Sequence, residues 1–429
     1  MRRLLLAASA IWFSLAAAWA TPLPQAAPES AGFDPARLKL LDAAMDKAVD
    51  DGQVAGIEIL AVRHGKIVDL HGHGLASMAA ATPIARDTIF RMYSQTKPMT
   101  GVAMMILYEK GLWKLDDPVT KFIPEFAGLK VLGADGALED MKHPPTMREL
   151  MTHTAGFGYG LRTGNPVDDA FRADKVLESN GLKEMIGRIA KIPLLYQPGT
   201  KWSYSAAVDI QGYIVEKLSG ETFGQFLREH IWGPLGMTDT GFMVPPDKAA
   251  RLSGVYAKNQ LTGDKLYELT SAIPMVQDFT KPPPMESGGG GSVSTVDDYA
   301  LFCQMMLNKG ELNGVRILKP ETVTLMETDQ IEPGVQPSDA TAGRSIGGEA
   351  IGFGLDFAIT RDPAKIDSKL GAGSIWWGGA AGTWFWIDPK NDLFFLGMIQ
   401  RFGTGAAGNV SLATVSQGLL YDALTDPKR

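Results

Sequence analysis

The 429-residue chain predicts a mixed α/β (α+β) protein. One antiparallel sheet is built from both chain ends and flanked by helices, and an all-helical domain is inserted between the two halves. Three observations predict this. Apolar stretches of strand length lie near both ends, at 56–72 and 384–399. Between 115 and 285 the pattern changes to helical periodicity interrupted by proline and glycine loops. Lys281-Pro282-Pro283-Pro284 and the run Gly288–Gly291 mark the return to the first unit. The expected organisation is a leader at 1–20, a sheet domain from 21–114 and 286–429, and a helical domain at 115–285.

The elements follow in order. Leu38, Leu41, Met45 and Val49 recur at helical spacing, with Asp34-Pro35 as start and Gly52 as stop. Gly56 to Val62 and Ile67 to Gly72 read as a hairpin turning at His64-Gly65. A helix is expected from about Ser94 to Glu109, ending at Gly111. Pro98 fits only its first turn, where the missing N–H costs nothing, so Ser94 must lie at or just before the helix start. The clearest helices of the middle region are 148–152, 182–190, 208–218 and 223–231, and 296–307 forms another. Residues 127–141 and 330–352 read as surface loops. Trp384 to Ile387 and Leu393 to Ile399 form a second hairpin around Asp388-Pro389-Lys390-Asn391, and an amphipathic helix closes the chain at 408–424.

Arg2 and Arg3, the apolar stretch Leu4 to Ala18, and Ala18-Trp19-Ala20 read as a cleaved export leader, too short to span a membrane. The mature chain is expected to be periplasmic or secreted, without a stable membrane anchor. Losing the two arginines takes the formal charge from −7 to −9, which argues against nucleic acid as a partner. Cys303, the only cysteine, lies in an apolar helix and reads as a small buried hydrophobe. His71-Gly72-His73 places two rings on one strand face, but no third ligand has recognisable spacing, so no metal site is expected.

Three short motifs carry the chemistry: Ser94-Gln95-Thr96-Lys97, then Tyr204-Ser205, then Trp377-Gly378-Gly379. A serine and a lysine three apart at a helix start face the same side. An amine there can hold or take the proton that a serine hydroxyl must lose before attacking a carbonyl. The tetrad alone is weak, since a chain of ordinary composition holds roughly one such match by accident and an isolated serine at this place reads better as a helix cap. The order and context of all three motifs give it weight.

With these motifs the chain resembles the serine β-lactamase and penicillin-binding-protein superfamily, defined by an S-x-x-K helix start. It is most similar to the family VIII carboxylesterases, relatives of the class C β-lactamases, in which Y-S-x and W-G-G replace Y-x-N and K-T-G. Leu150-Met151-Thr152-His153-Thr154-Ala155-Gly156, Gln197-Pro198-Gly199 and Gly288 to Val293 support the likeness, which covers nearly the whole mature chain. It implies a β-lactamase/transpeptidase-like fold and a serine hydrolase that works without cofactor or metal. Ser94 would be the nucleophile, Lys97 its polarising neighbour and Tyr204 the general base. A free phenol releases its proton too reluctantly for that task at neutral pH, so an ammonium must stand beside it, with Lys97 the candidate. Which of Lys97 and Tyr204 takes the first proton stays open. The oxyanion hole would be the backbone N–H groups of Ser94 and Ala380. Gly378 and Gly379 would let the strand edge approach the substrate. Trp377, Phe157, Tyr159 and Trp202 would line an apolar cleft. Trp377-Gly378 lacks the charge that binds a β-lactam carboxylate, and Ala206 stands where Y-x-N has its asparagine. A small-molecule carboxylic ester is the expected substrate. The alternatives are a β-lactamase, a D-amino-acid amidase or peptidase, an acyltransferase, or a penicillin-binding type of protein that acylates without turning over.

Overall fold

The computed structural model describes residues 23–259, 265–271, 276–337, 345–366, 368–403 and 411–428, so the expected leader lies outside them. Strand β1 (Gly56–Arg63) turns back at His64 and Gly65 into β2 (Lys66–Ser77). Both turn residues have positive φ, 54° and 69°, as a tight two-residue hairpin requires. After the short β3 (Thr82–Pro83) the sheet resumes far along the chain. It adds β4 (Ile351–Phe353), β5 (Ala358–Thr360), β6 (Ile375–Gly378), β7 (Trp384–Asp388) and β8 (Leu393–Met398). The strands pair in one antiparallel sheet in the order β4-β5-β6-β7-β8-β1-β2-β3. The last strand lies beside the first, with Leu60 opposite Leu396 and Ala61 opposite Phe395.

Strand alternation divides the core in two. Ile57, Ile59 and Ala61 face the terminal helices α1 (Pro35–Asp50) and, at the C-terminus, Leu412–Ala423. Leu60 and Val62 face the larger core, where helix α2 (Lys97–Glu109) runs through the centre. Every residue of α2 from Lys97 to Leu107 is buried. Helices Met147–Met151, Leu182–Ile189 and Phe223–Leu227, together with α3 (Ala207–Ser219), surround it. Helix α4 (Val296–Leu307) covers the same face of the sheet and holds Cys303 in the core.

Local chemistry explains the boundaries. Asp34 accepts hydrogen bonds from the N–H groups of Ala36 and Arg37, and Pro35 occupies the first helical position of α1. Thr146 and Glu149 form a reciprocal capping box at Met147–Met151. His71 and His73 do share a face, turned toward α1, where they meet Asp46 at 2.6 Å and Asp50 at 3.1 Å.

The structure also departs from the sequence expectations. A helix at Pro166–Ala173, capped by Asn165, was not anticipated, because its polar first turn hides the apolar spacing of Val167 and Phe171. The helix expected over 223–231 is α-helical only to Leu227 and continues as a π-helical turn, Arg228–Trp232. The expected loop at 330–352 ends in strand at Ile351, and residues 338–344 within it lie outside the described residues. The expected loop at 127–141 contains a small hairpin, Lys130–Leu132 with Leu138–Asp140. Strands of three residues are too short to display an alternation.

Candidate active site

The segment before α2 sets the nucleophile in place. Tyr93 adopts φ 45°, a left-handed conformation costly for a tyrosine, and the chain then forms a tight 3-10 turn, Tyr93–Thr96. Ser94 sits half-buried on this turn, and Lys97 begins α2 with no exposed surface. Pro98 occupies the first turn of α2, as its missing N–H requires.

One chain-distant group, Tyr204, and one near neighbour, Lys97, converge on Ser94. The Tyr204 hydroxyl donates to Ser94 Oγ at 2.7 Å, and Lys97 Nζ donates to the same oxygen at 3.2 Å. Lys97 Nζ also donates to Tyr159 Oη at 3.2 Å and to the Gly289 carbonyl at 2.6 Å. It lies 4.6 Å from the centre of the Tyr204 ring, where the π-face attracts a cation. The first two motifs therefore meet in space.

The third motif lies alongside. Strand β6 ends at Gly378, and Gly379 closes a turn by donating to the Thr383 carbonyl at 2.7 Å. A side chain on Gly379 would sit 2.3 Å from the Met92 carbonyl, two residues before Ser94. The strand edge thus meets the nucleophile segment at backbone contact, which only glycine permits. Gly378 is similarly crowded, since a Cβ there would lie 2.8 Å from the Thr383 carbonyl. Ala380 follows at the exposed tip of this turn. Among the described residues the N–H groups of Ser94 and Ala380 have no acceptor within the protein.

The aromatic residues divide by position. Trp377 is half-buried and packs on Tyr204 with ring centres 5.6 Å apart. Tyr159 lies edge-on to Tyr204 at 5.3 Å and belongs with the polar cluster through its hydroxyl, beyond the wall role expected for it. Phe157 corrects the expectation of a cleft residue: it is 1% exposed and packs in the core against Phe126. Trp202 is likewise a correction. It is 2% exposed and stacks behind the Tyr204 ring at 6.1 Å, so it backs the phenol without lining open space.

Electrostatics separate the groups that remain. His153 is fully buried, its Nδ1 lies 3.0 Å from Ser205 Oγ, and its ring packs 5.0 Å from that of Tyr204. Burial first and the nearby Lys97 second hold its proton affinity well below the usual imidazole range, so it is neutral. Burial and then Asp209 push the Tyr159 phenol well above its ordinary value, so that hydroxyl keeps its proton. Behind the cluster Asp209 and Asp356 are buried carboxyls, and burial raises both, Asp356 to about 8.

The expectation that the chain holds no Gly-x-Ser-x-Gly string is wrong: Gly343-Arg344-Ser345-Ile346-Gly347 has the spacing of a nucleophile elbow. Gly343 and Arg344 lie outside the described residues, and Ser345 leads into a turn and then strand β4. An elbow needs a strand-to-helix turn, so this serine lacks that context. The sequence reading also missed Asp209 and the Gly289 carbonyl. Gly288 to Val293 was noted only as flanking context, and a backbone acceptor has no side-chain signature.

Comparison with known proteins agrees with this geometry. The Beta-lactamase family model matches residues 41–416. Esterase EstB of Burkholderia gladioli is 28% identical over 387 residues, covering 87% of this chain and 93% of its own. The acyltransferase calJ of Penicillium decumbens is 31% identical over 337 residues, covering 73% of this chain and 76% of its own. Among solved structures, unliganded simvastatin synthase (LovD) from Aspergillus terreus matches with a TM-score of 0.76 and 25% identity, over 91% of this chain and 99% of that one. With its sheet order, its buried Lys97 beside Ser94 and a family match across most of its length, the chain belongs to the Beta-lactamase family, within the branch of serine hydrolases and acyltransferases.

Proposed function

We propose that the protein is an exported serine hydrolase that cleaves carboxylic esters through an acyl-enzyme. One observation carries the reading: the Tyr204 hydroxyl lies 2.7 Å and the Lys97 ammonium 3.2 Å from Ser94 Oγ. For the reaction Tyr204 first releases its hydroxyl proton to solvent, with Lys97 offsetting the phenolate charge; as Ser94 Oγ attacks the ester carbonyl, the serine proton passes to that phenolate oxygen. The carbonyl oxygen becomes an oxyanion held by the N–H groups of Ser94 and Ala380. Collapse breaks the bond to the alcohol, which leaves with the proton from Tyr204. A water then repeats the sequence, giving its proton to Tyr204 and releasing the acid. His153, neutral and already engaged by Ser205, takes no part as a base.

Esters suit the site better than β-lactams because Ile375-Trp376-Trp377-Gly378 carries no cation to bind a carboxylate. Apolar acyl groups are accommodated beside Trp377. Acyl transfer to an alcohol is a second reading, supported by the relative named an acyltransferase at 31% identity. Export rests on the leader pattern at 1–20, and sequencing the N-terminus of secreted material checks the cut after Ala20.

The test compares p-nitrophenyl butyrate with a chromogenic cephalosporin. The expected result is ester turnover well above cephalosporin turnover, abolished in Ser94→Ala. The reverse preference would overturn the substrate assignment, and ester turnover retained in Ser94→Ala would overturn the site. Adding an alcohol and measuring the new ester separates transfer from hydrolysis.

A further inference from the structure

Lys97 Nζ lies within hydrogen-bond distance of three oxygens, Ser94 Oγ, Tyr159 Oη and the Gly289 carbonyl. None of these is a carboxylate. A fully buried ammonium with no direct counter-ion must have its charge answered from the next layer. That layer contains Asp209, with no exposed surface, on α3 five residues after Tyr204. One Asp209 oxygen accepts the Gly289 N–H at 3.0 Å and the Ser287 hydroxyl at 2.5 Å. Gly289 is therefore clamped at both ends: its N–H is held by Asp209, and its carbonyl receives Lys97. The second Asp209 oxygen is buried without a partner among the described residues and lies on Gly289, where a Cβ would come within 2.4 Å of it. The same Cβ would come within 2.7 Å of Tyr159 Oη, so a side chain at 289 would part the cluster.

Resting on the esterase reading above, we infer that Asp209 is a positioning residue: through Gly289 it fixes the place of the Lys97 ammonium and supplies its counter-charge. The other buried carboxyl, Asp356, is bound by Gln211 at 3.1 Å and lies against Gly101, a turn further along α2. Burial raises both carboxyls, Asp356 to about 8, and of the two it is Asp209 that reaches Lys97 through Gly289.

The test is Asp209→Asn, which keeps shape and an acceptor oxygen and removes the charge. With p-nitrophenyl butyrate, kcat per folded molecule should fall about 10- to 100-fold while KM stays within about twofold, the pattern of a displaced catalytic group. A merely structural role would lower the folded fraction, read by circular dichroism, and leave kcat per folded molecule unchanged. That outcome overturns the inference. Should Asp209→Asn fail to fold, Ser287→Ala decides: it loosens Asp209 without touching the core, and an unchanged kcat there is equally contradictory. Ser94→Ala runs alongside. If it stays active, the esterase site is wrong. If it is dead while both Asp209→Asn and Ser287→Ala turn over at the parent rate, only the role of Asp209 is wrong.

Discussion

Two phenols flank one ammonium, and their surroundings give them different tasks. Tyr159 is kept protonated by burial and by the charge of Asp209, so it can only share a hydrogen bond with Lys97. Tyr204 touches the Ser94 oxygen directly. Tyr204→Phe should therefore lower kcat at least about 100-fold, the scale of a general base, whereas Tyr159→Phe should cost only about tenfold, the scale of one hydrogen bond to a charged group. Steady-state kinetics of the two variants check the order, and equal losses would contradict the division of roles. At this scale the sequence was informative for side chains that belong to a motif. Ser94, Lys97, Tyr204 and Trp377, picked out by their motifs, lie together in the structure. Phe157 and Trp202 were misplaced because an aromatic residue near a motif can face the cleft or the core, and only packing decides which.

At the scale of elements, the site depends on the close approach of a strand edge to a helix start. Gly379 lies against the Met92 carbonyl with no room for a methyl group. Gly379→Ala should push the edge of β6 away from Ser94 and misplace the oxyanion donors, lowering kcat by about 100-fold with a small effect on KM. A variant with parent kcat would show that this contact is not needed for the chemistry. The long elements were readable: α1, the β1–β2 and β7–β8 hairpins and α4 all have strong periodicity or turn signals. The outer strands β4 and β5 have three residues each and draw their stability from neighbours, so their pattern carries no local signal. The π-helical turn Arg228–Trp232 is likewise a tertiary adjustment, which amphipathic spacing alone reads as plain helix.

For the whole molecule, the sheet uniting both chain ends followed from the placement of apolar stretches, but the order of strands did not. A collective property follows from the buried acids. Burial raises Asp356 to about 8, Asp69 to about 7 and Asp298 to about 6. Each keeps its proton in the folded chain over a range where the unfolded chain has released it. Folded molecules then bind more protons than unfolded ones, so stability is lost as pH rises from about 4 through 8. His153, held neutral, acts in the opposite sense but only below the ordinary imidazole range near 6.5. The melting temperature should accordingly be lower at about pH 8.5 than at about pH 6, and Asp356→Asn should narrow the difference. A parent protein as stable at the higher pH would contradict the assignment of these buried protons.

The central claim is that a hydroxyl, an amine and a phenol brought together from two remote segments form one acylation centre. Peptide mass mapping tests it most directly: the enzyme is mixed with excess p-nitrophenyl butyrate, quenched in acid within the first turnovers, and digested. The account predicts one butyryl group on the peptide carrying Ser94, trapped in larger yield in Tyr204→Phe if deacylation slows more than acylation, and absent from Ser94→Ala. Rapid ester hydrolysis with the butyryl group on another residue, on Ser345 for instance, would contradict it.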